Sequence, residues 1–67
     1  MKLRNKIDER MDQLQAYMES NTHLKQPILV QMHIESVSKF WSVLSEEDRD
    51  YIQGAQYAVE EGAEWNV

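Results

Sequence analysis

Apolar residues recur every three or four positions along most of the chain, a spacing typical of α-helices. Five residues show this in the first third of the sequence: Leu3, Ile7, Met11, Leu14 and Met18. At about 100° per residue their side chains fall within an arc of roughly 80°. The pattern therefore predicts a first helix over residues 3–19 with one narrow apolar stripe, suited to packing against another helix.

The middle of the chain is more apolar and predicts a helix over residues 26–44. Pro27 suits the first turn of a helix, where the missing N–H would have no partner in any case. A seam with 4-3-4-3 spacing is expected to face the core: Val30, Ile34, Val37, Trp41 and Leu44. Four more apolar residues widen the region to about 200°: Leu29, Met32, Phe40 and Val43. Such a helix has to be covered on two sides.

Ser45 followed by three carboxylates predicts the start of a third helix. A serine at this position can accept a backbone N–H, and acidic side chains are favourable at the positive end of the helix. We expect this helix to span residues 46–61, Gly62 to end it, and residues 62–67 to form a short tail. Its buried face is predicted to contain Tyr51, Ile52, Ala55, Ala58 and Val59. Gly54 and Ala58 predict a small-residue groove for a neighbouring helix.

These elements predict an all-α fold, a three-helix chain built on an antiparallel αα-hairpin of the first two helices. The first break is expected at the polar run Ser20–His23. The 67 residues form one domain without disulfides, since there is no cysteine. Because so short a chain buries only about 60% of its unfolded surface, we expect a homodimer to complete the helical bundle. The predicted dimer interface is Leu29, His33, Ser36, Phe40 and Val43.

The net charge of −5 is concentrated at the C-terminal end of the chain. Residues 1–25 sum to +1, residues 26–44 to zero and residues 45–67 to −6. This distribution disfavours nucleic acid and anionic membranes as partners. It fits either a solvated helix face that maintains solubility or a docking surface for a basic protein partner, a nucleic-acid mimic included. The predicted docking residues are Asp50, Tyr57, Glu60, Glu61, Glu64 and Trp65.

The sequence offers no recognisable catalytic, cofactor or metal site. It has no cysteine and no glycine-rich phosphate loop, and its serines and histidines lack the spacing of a catalytic arrangement. His23 and His33 are ten residues apart, and His33 has no acidic residue or histidine three or four positions away. We therefore expect a protein that is not an enzyme. His33 is interpreted as a half-buried, hydrogen-bonded residue or, alternatively, as a titratable residue at a subunit interface.

The N-terminal residues predict neither a signal peptide nor a membrane span. The first ten are rich in charge and no apolar region follows them, and the longest aliphatic run in the chain is Ile28–Val30. The expected location is the cytoplasm.

Four strings in the C-terminal half carry a resemblance to a known group of proteins: Ser38–Trp41, Leu44–Tyr51, Ala55–Ala58 and Glu64–Trp65. Over residues 38–65 the chain resembles small acidic helical proteins of marine cyanophages of the T-even-like myovirus type. The resemblance implies a setting, the cytoplasm of an infected host, and a phage accessory protein that binds and modulates a host protein. It implies no activity or catalytic residues. The alternative is a structural or assembly component of a larger complex with no regulatory role.

Overall fold

The computed structural model describes residues 3–65, and over that range the protein is all-helical. Four α-helices are present: α1 (Leu3–Glu19), α2 (Thr22–Lys25), α3 (Pro27–Ser38) and α4 (Glu46–Glu61). A 3₁₀ helix, Trp41–Val43, connects α3 to α4. The all-α fold class is thus confirmed, with one more short helix than the sequence predicted.

The expected turn at Ser20–His23 is shorter than predicted because Asn21 reverses the chain by itself. Asn21 has φ 56° and ψ 32°, in the left-handed region that asparagine tolerates better than most residues. Its N–H donates to the carbonyl of Met18 and its carbonyl accepts from Leu24, both at 3.0 Å. Helix α2 therefore starts at once, and His23 belongs to a helix rather than to a turn.

The predicted helix over residues 26–44 ends early, at Ser38. Beyond Ser38 the backbone hydrogen bonds join residues three positions apart, as in a 3₁₀ helix. The Phe40 N–H donates to the Val37 carbonyl at 3.1 Å, and the Leu44 N–H donates to the Trp41 carbonyl at 3.2 Å. Serine, valine and aromatic residues have modest α-helix propensities, so the change to a 3₁₀ conformation costs little free energy here. Leu44 is then extended, with ψ 149°, so that Ser45 can begin the next helix.

The start and the end of α4 are as the sequence predicts. The Ser45 hydroxyl accepts the N–H of Asp48 at 3.1 Å, which satisfies one of the free donors of the first turn. At the other end Gly62 takes the left-handed conformation with φ 63°, and the Ala63 N–H donates to Ala58 at 3.0 Å. The Gly62 N–H also donates to the Ala58 carbonyl, so the two bonds close the last turn of the helix.

Helix α3 lies at the centre of the fold and packs against α1, α2 and α4. Arg10 contacts Ser36 and Phe40, whereas Tyr17, later in α1, contacts His33, earlier in α3. Helices α1 and α3 therefore run antiparallel. The core is apolar except for His23, and its buried residues are Ile7, Leu14, Met18, Val30, Ile34, Val37, Leu44, Ile52, Ala55 and Ala58.

The predicted stripes are confirmed in most of their members. Met11, Trp41, Tyr51 and Val59 are half-buried at the edge of the core rather than inside it. The side chain of Leu3 lies outside the described part of the chain.

Candidate functional site

The outward side of α4 carries an exposed aromatic residue among carboxylates. Tyr57 is 64% exposed, although an aromatic side chain gains more free energy than most when it is buried. Helical geometry places Asp50, Glu60 and Glu61 within about 60° of Tyr57 around the helix axis. All three are exposed, as is Glu64 just beyond the helix end. We call this set, Asp50, Tyr57, Glu60, Glu61 and Glu64, the acidic face.

The acidic face has no basic residue beside it within residues 45–65 that could balance its charge. Arg49 is the one basic residue there, and its side chain turns toward the core. Its Nε donates to the Trp41 carbonyl at 2.9 Å, and its guanidinium lies over the Trp41 ring, 5.6 Å from the centroid. Arg49 therefore offsets little of the negative electrostatic potential that the carboxylates create around the acidic face.

Trp65, predicted as a second anchor on this face, is half-buried and packs against the core. Its ring centroid lies 5.2 Å from that of Tyr51, and its edge lies beside Gly54, 3.5 Å from where a Cβ would be. Its backbone N–H donates to the side-chain Oδ1 of Asn21 at 2.8 Å. Because Gly54 has no side chain, the space predicted to admit a helix backbone is filled by the indole.

The tail is further held by a histidine that the sequence did not identify as a core residue. His23 is 1% exposed, and its Nε2 donates to the Ala63 carbonyl at 2.6 Å. Its Nδ1, the Tyr51 hydroxyl and the Trp65 indole nitrogen are buried without a hydrogen-bond partner among the described residues. Burial of Tyr51, and secondarily the charge of Glu19, raises the pKa of its phenol above the ordinary value of 10.0.

Three of the five residues predicted for a dimer interface contact α1 of the same chain. His33 Nε2 donates to the Arg10 carbonyl at 2.8 Å, and its ring meets Tyr17 edge-on at 5.5 Å. Arg10 donates to the Ser36 hydroxyl and lies over the Phe40 ring, 5.5 Å from the centroid. His33 thus has the half-buried, hydrogen-bonded environment that the sequence predicts.

The other two predicted dimer residues, Leu29 and Val43, are exposed. Among the side chains that the structure describes, two other apolar ones on α3 are more exposed: Ile28 at 75% and Met32 at 64%. The signal for these was available, since both lie opposite the 30/34/37 seam of α3 at about 100° per residue. The outward position of Ile28 and Met32 was hard to recognise because apolar residues cover a wide arc of this helix.

Helices α1 and α4 also border a groove of about 290 Å³. Carboxylates dominate its walls, and Met11 and Tyr51 supply apolar surface; the lining residues are Asp8, Met11, Asp12, Gln15, Glu47, Asp48 and Tyr51. In the described residues no three histidine, cysteine, aspartate or glutamate side chains are grouped so that they could hold a metal ion. No helix in the described range is both long and apolar enough to cross a membrane.

No family model matches this chain, and the searches of curated proteins and of solved structures found no match either.

Proposed function

We propose that this chain is a protein-interaction module that binds a basic partner protein through the acidic face. The observation that carries the proposal is Tyr57, 64% exposed among carboxylates in a segment, residues 45–65, whose one basic residue is the inward-turned Arg49. Tyrosine is enriched in protein interfaces because it offers a large, rather rigid contact area with a polar tip. The surrounding charge would accelerate encounter with a positively charged surface.

The degree of burial determines what each residue of the acidic face contributes to binding. Because Trp65 is half-buried against the core, Tyr57 is the exposed aromatic anchor of this face. The carboxylates at its rim stay hydrated, so each adds more to the association rate than to the final affinity. The same charge disfavours a nucleic acid as the partner.

The resemblance to cyanophage proteins supports a biological setting for such a module. In that setting it is an accessory protein in the cytoplasm of an infected cell, where it binds and modulates a host protein. A role as a structural or assembly component is the second candidate, favoured by the exposed Ile28 and Met32 on α3. Sedimentation separates the two, because an assembly component forms higher oligomers by itself.

Self-association is the second part of the proposal: the chain forms a homodimer that completes the helical bundle. Two observations support it. A chain of 67 residues has a small core, and the central helix still presents large aliphatic side chains to solvent.

The experiment is affinity capture of proteins from infected or expressing cells, followed by binding kinetics with the captured partner. Tyr57→Ala is expected to weaken binding by about 1–2 kcal/mol, the loss typical of an interface anchor. Reversing Glu60 and Glu61 to lysine is expected to slow association mainly at low salt. Reversal of Glu9 and Glu19 on α1 is the matched control, because it changes the net charge equally at exposed sites elsewhere. An affinity that ignores both acidic-face variants would overturn the proposal.

A further inference from the structure

The side of α3 that faces away from the core carries a patch of exposed aliphatic residues. It consists of Leu24 on α2 and of Ile28, Leu29 and Met32 on α3, and we call it the apolar patch. Ile28 and Met32 are one helical turn apart and so neighbour each other on the same face. At their observed exposures the four side chains leave roughly 400 Å² of mostly apolar surface in water, a size that in monomers is often functional.

Intramolecular packing determines where this patch lies. Val30, Ile34 and Val37 point into the core, while His33 and Ser36 contact Arg10 of α1. On the opposite flank Gln31 accepts a hydrogen bond from Gln56 of α4 at 2.7 Å. Both flanks of α3 are therefore occupied within the chain, and only its outer side is left for a second molecule.

The charges that flank the patch have opposite signs. Lys25 precedes it and Glu35 follows it, and both are exposed. They stand five positions before and five positions after residue 30, and Ile28 and Met32 stand two positions to either side of it. In sequence order, the opposite charges and the two most exposed apolar side chains of α3 are thus arranged symmetrically about residue 30.

We propose that the apolar patch is the surface on which a second copy of this chain docks, with the two α3 helices antiparallel. A two-fold axis at the level of residue 30 places Ile28 against Met32 of the partner subunit. The same axis places Lys25 against Glu35 of the partner subunit. Each of these pairs occurs twice, as symmetry requires of a dimer interface of this type. The inference rests on the self-association proposed above and specifies its surface and register.

The available area indicates a weak dimer. A standard interface takes about 800 Å² from each partner, which is a large part of a surface of 4667 Å². The apolar patch supplies about half of that amount, and the polar rim has to supply the rest. We therefore expect a dissociation constant in the micromolar range.

Sedimentation equilibrium of the full chain from micromolar to millimolar concentration tests the surface. Met32→Glu is expected to raise the dimer dissociation constant by at least roughly 100-fold, because it places a charge in the apolar centre twice per dimer. Gln13→Glu is the matched control: it also adds one negative charge at an exposed site, on α1, and it is expected to change the constant by less than about threefold. Circular dichroism confirms that both variants are folded.

Charge exchange tests the register. Lys25→Glu and Glu35→Lys are each expected to weaken the dimer by about 5–10-fold, and the double variant is expected to restore it. Glu35→Lys is the more discriminating change, because it lowers the net negative charge and would strengthen association if general repulsion alone mattered.

The possible results separate the inference from the proposal on which it rests. A chain that stays monomeric throughout would overturn self-association and this interface together, and would leave the apolar patch to a different partner. A dimer that Met32→Glu does not weaken would overturn only this interface. A dimer that Met32→Glu dissociates but that the double exchange does not restore would overturn the antiparallel register.

Discussion

His23 and Ala63 are forty residues apart in the sequence and are joined by a hydrogen bond of 2.6 Å from the imidazole Nε2 to the backbone carbonyl. The bond ties α2 to the segment that follows α4. Trp65 lies two residues further on and is anchored to Asn21, two residues before His23. The turn between α1 and α2 and the C-terminal segment therefore hold each other in place.

Replacement of His23 by alanine is expected to cost about 2–4 kcal/mol of unfolding free energy. The change leaves a cavity at a fully buried site and removes the donor to Ala63. Urea denaturation followed by circular dichroism measures the loss. His33→Ala, which removes a half-buried imidazole within α3, is the control and is expected to cost less.

The same variant is expected to release the tail. In a Trp41→Phe background the fluorescence of Trp65 reports its environment alone, and His23→Ala is expected to shift that emission to the red as the indole becomes hydrated. The shift is not expected for His33→Ala. An unchanged spectrum would show that the bond to Ala63 does not hold Trp65 in place.

The two glycines are expected to respond to alanine with opposite signs. A Cβ at Gly54 would lie 3.5 Å from the Trp65 ring, an ordinary contact, so Gly54→Ala is expected to stabilise the helix by about 0.5–1 kcal/mol. Gly62 has open space around it but a φ of +63°, so Gly62→Ala is expected to destabilise by about 1 kcal/mol. Thermal or urea unfolding of both variants measures this. If both substitutions changed the unfolding free energy in the same direction, either the assigned packing of Trp65 against Gly54 or the assigned helix end at Gly62 would be wrong.

The serine at the start of α4 is expected to contribute about 1 kcal/mol. Ser45→Ala removes the acceptor for the Asp48 N–H and leaves that donor to water. Ser42→Ala, at an exposed position of the 3₁₀ helix, is the control and is expected to stay within about 0.5 kcal/mol of the wild type. Equal losses in the two variants, measured by urea unfolding, would argue against the cap.

Tyr51 is expected to make the protein less stable at high pH. Its pKa is raised in the folded state by burial and by Glu19, so above pH 10 the unfolded chain loses this proton more readily than the folded one. Stability therefore falls as the pH rises from the unfolded toward the folded pKa. Unfolding curves at pH 8 and above pH 10 are expected to show a smaller decline for Tyr51→Phe. An identical decline would contradict the burial of this phenol.

Near neutral pH Tyr51→Phe is expected to be neutral or slightly stabilising. The hydroxyl is buried with no hydrogen-bond partner among the described residues, so its removal relieves a desolvation cost. The same unfolding measurements at pH 7 give this comparison.

Helix α1 and both ends of α4 were predictable from the sequence because their causes are local. Ser45 and Gly62 bound α4 through bonds that span three to five residues. The apolar stripe of α1 follows from the helical repeat alone. Asn21 and Ser38 were harder, because several conformations satisfy their local preferences and the packing on either side selects one.

What the tertiary structure decided is which of the remaining side chains are inside. His23 and Trp65 lie outside any apolar period; His23 is buried and Trp65 half-buried because α2 and the tail meet beside Gly54 and Tyr51. In the same way the wide apolar arc of α3 could not show which of its residues α1 would cover. Such contacts join residues more than ten positions apart, so they depend on how whole helices pack and not on the sequence around any one of them.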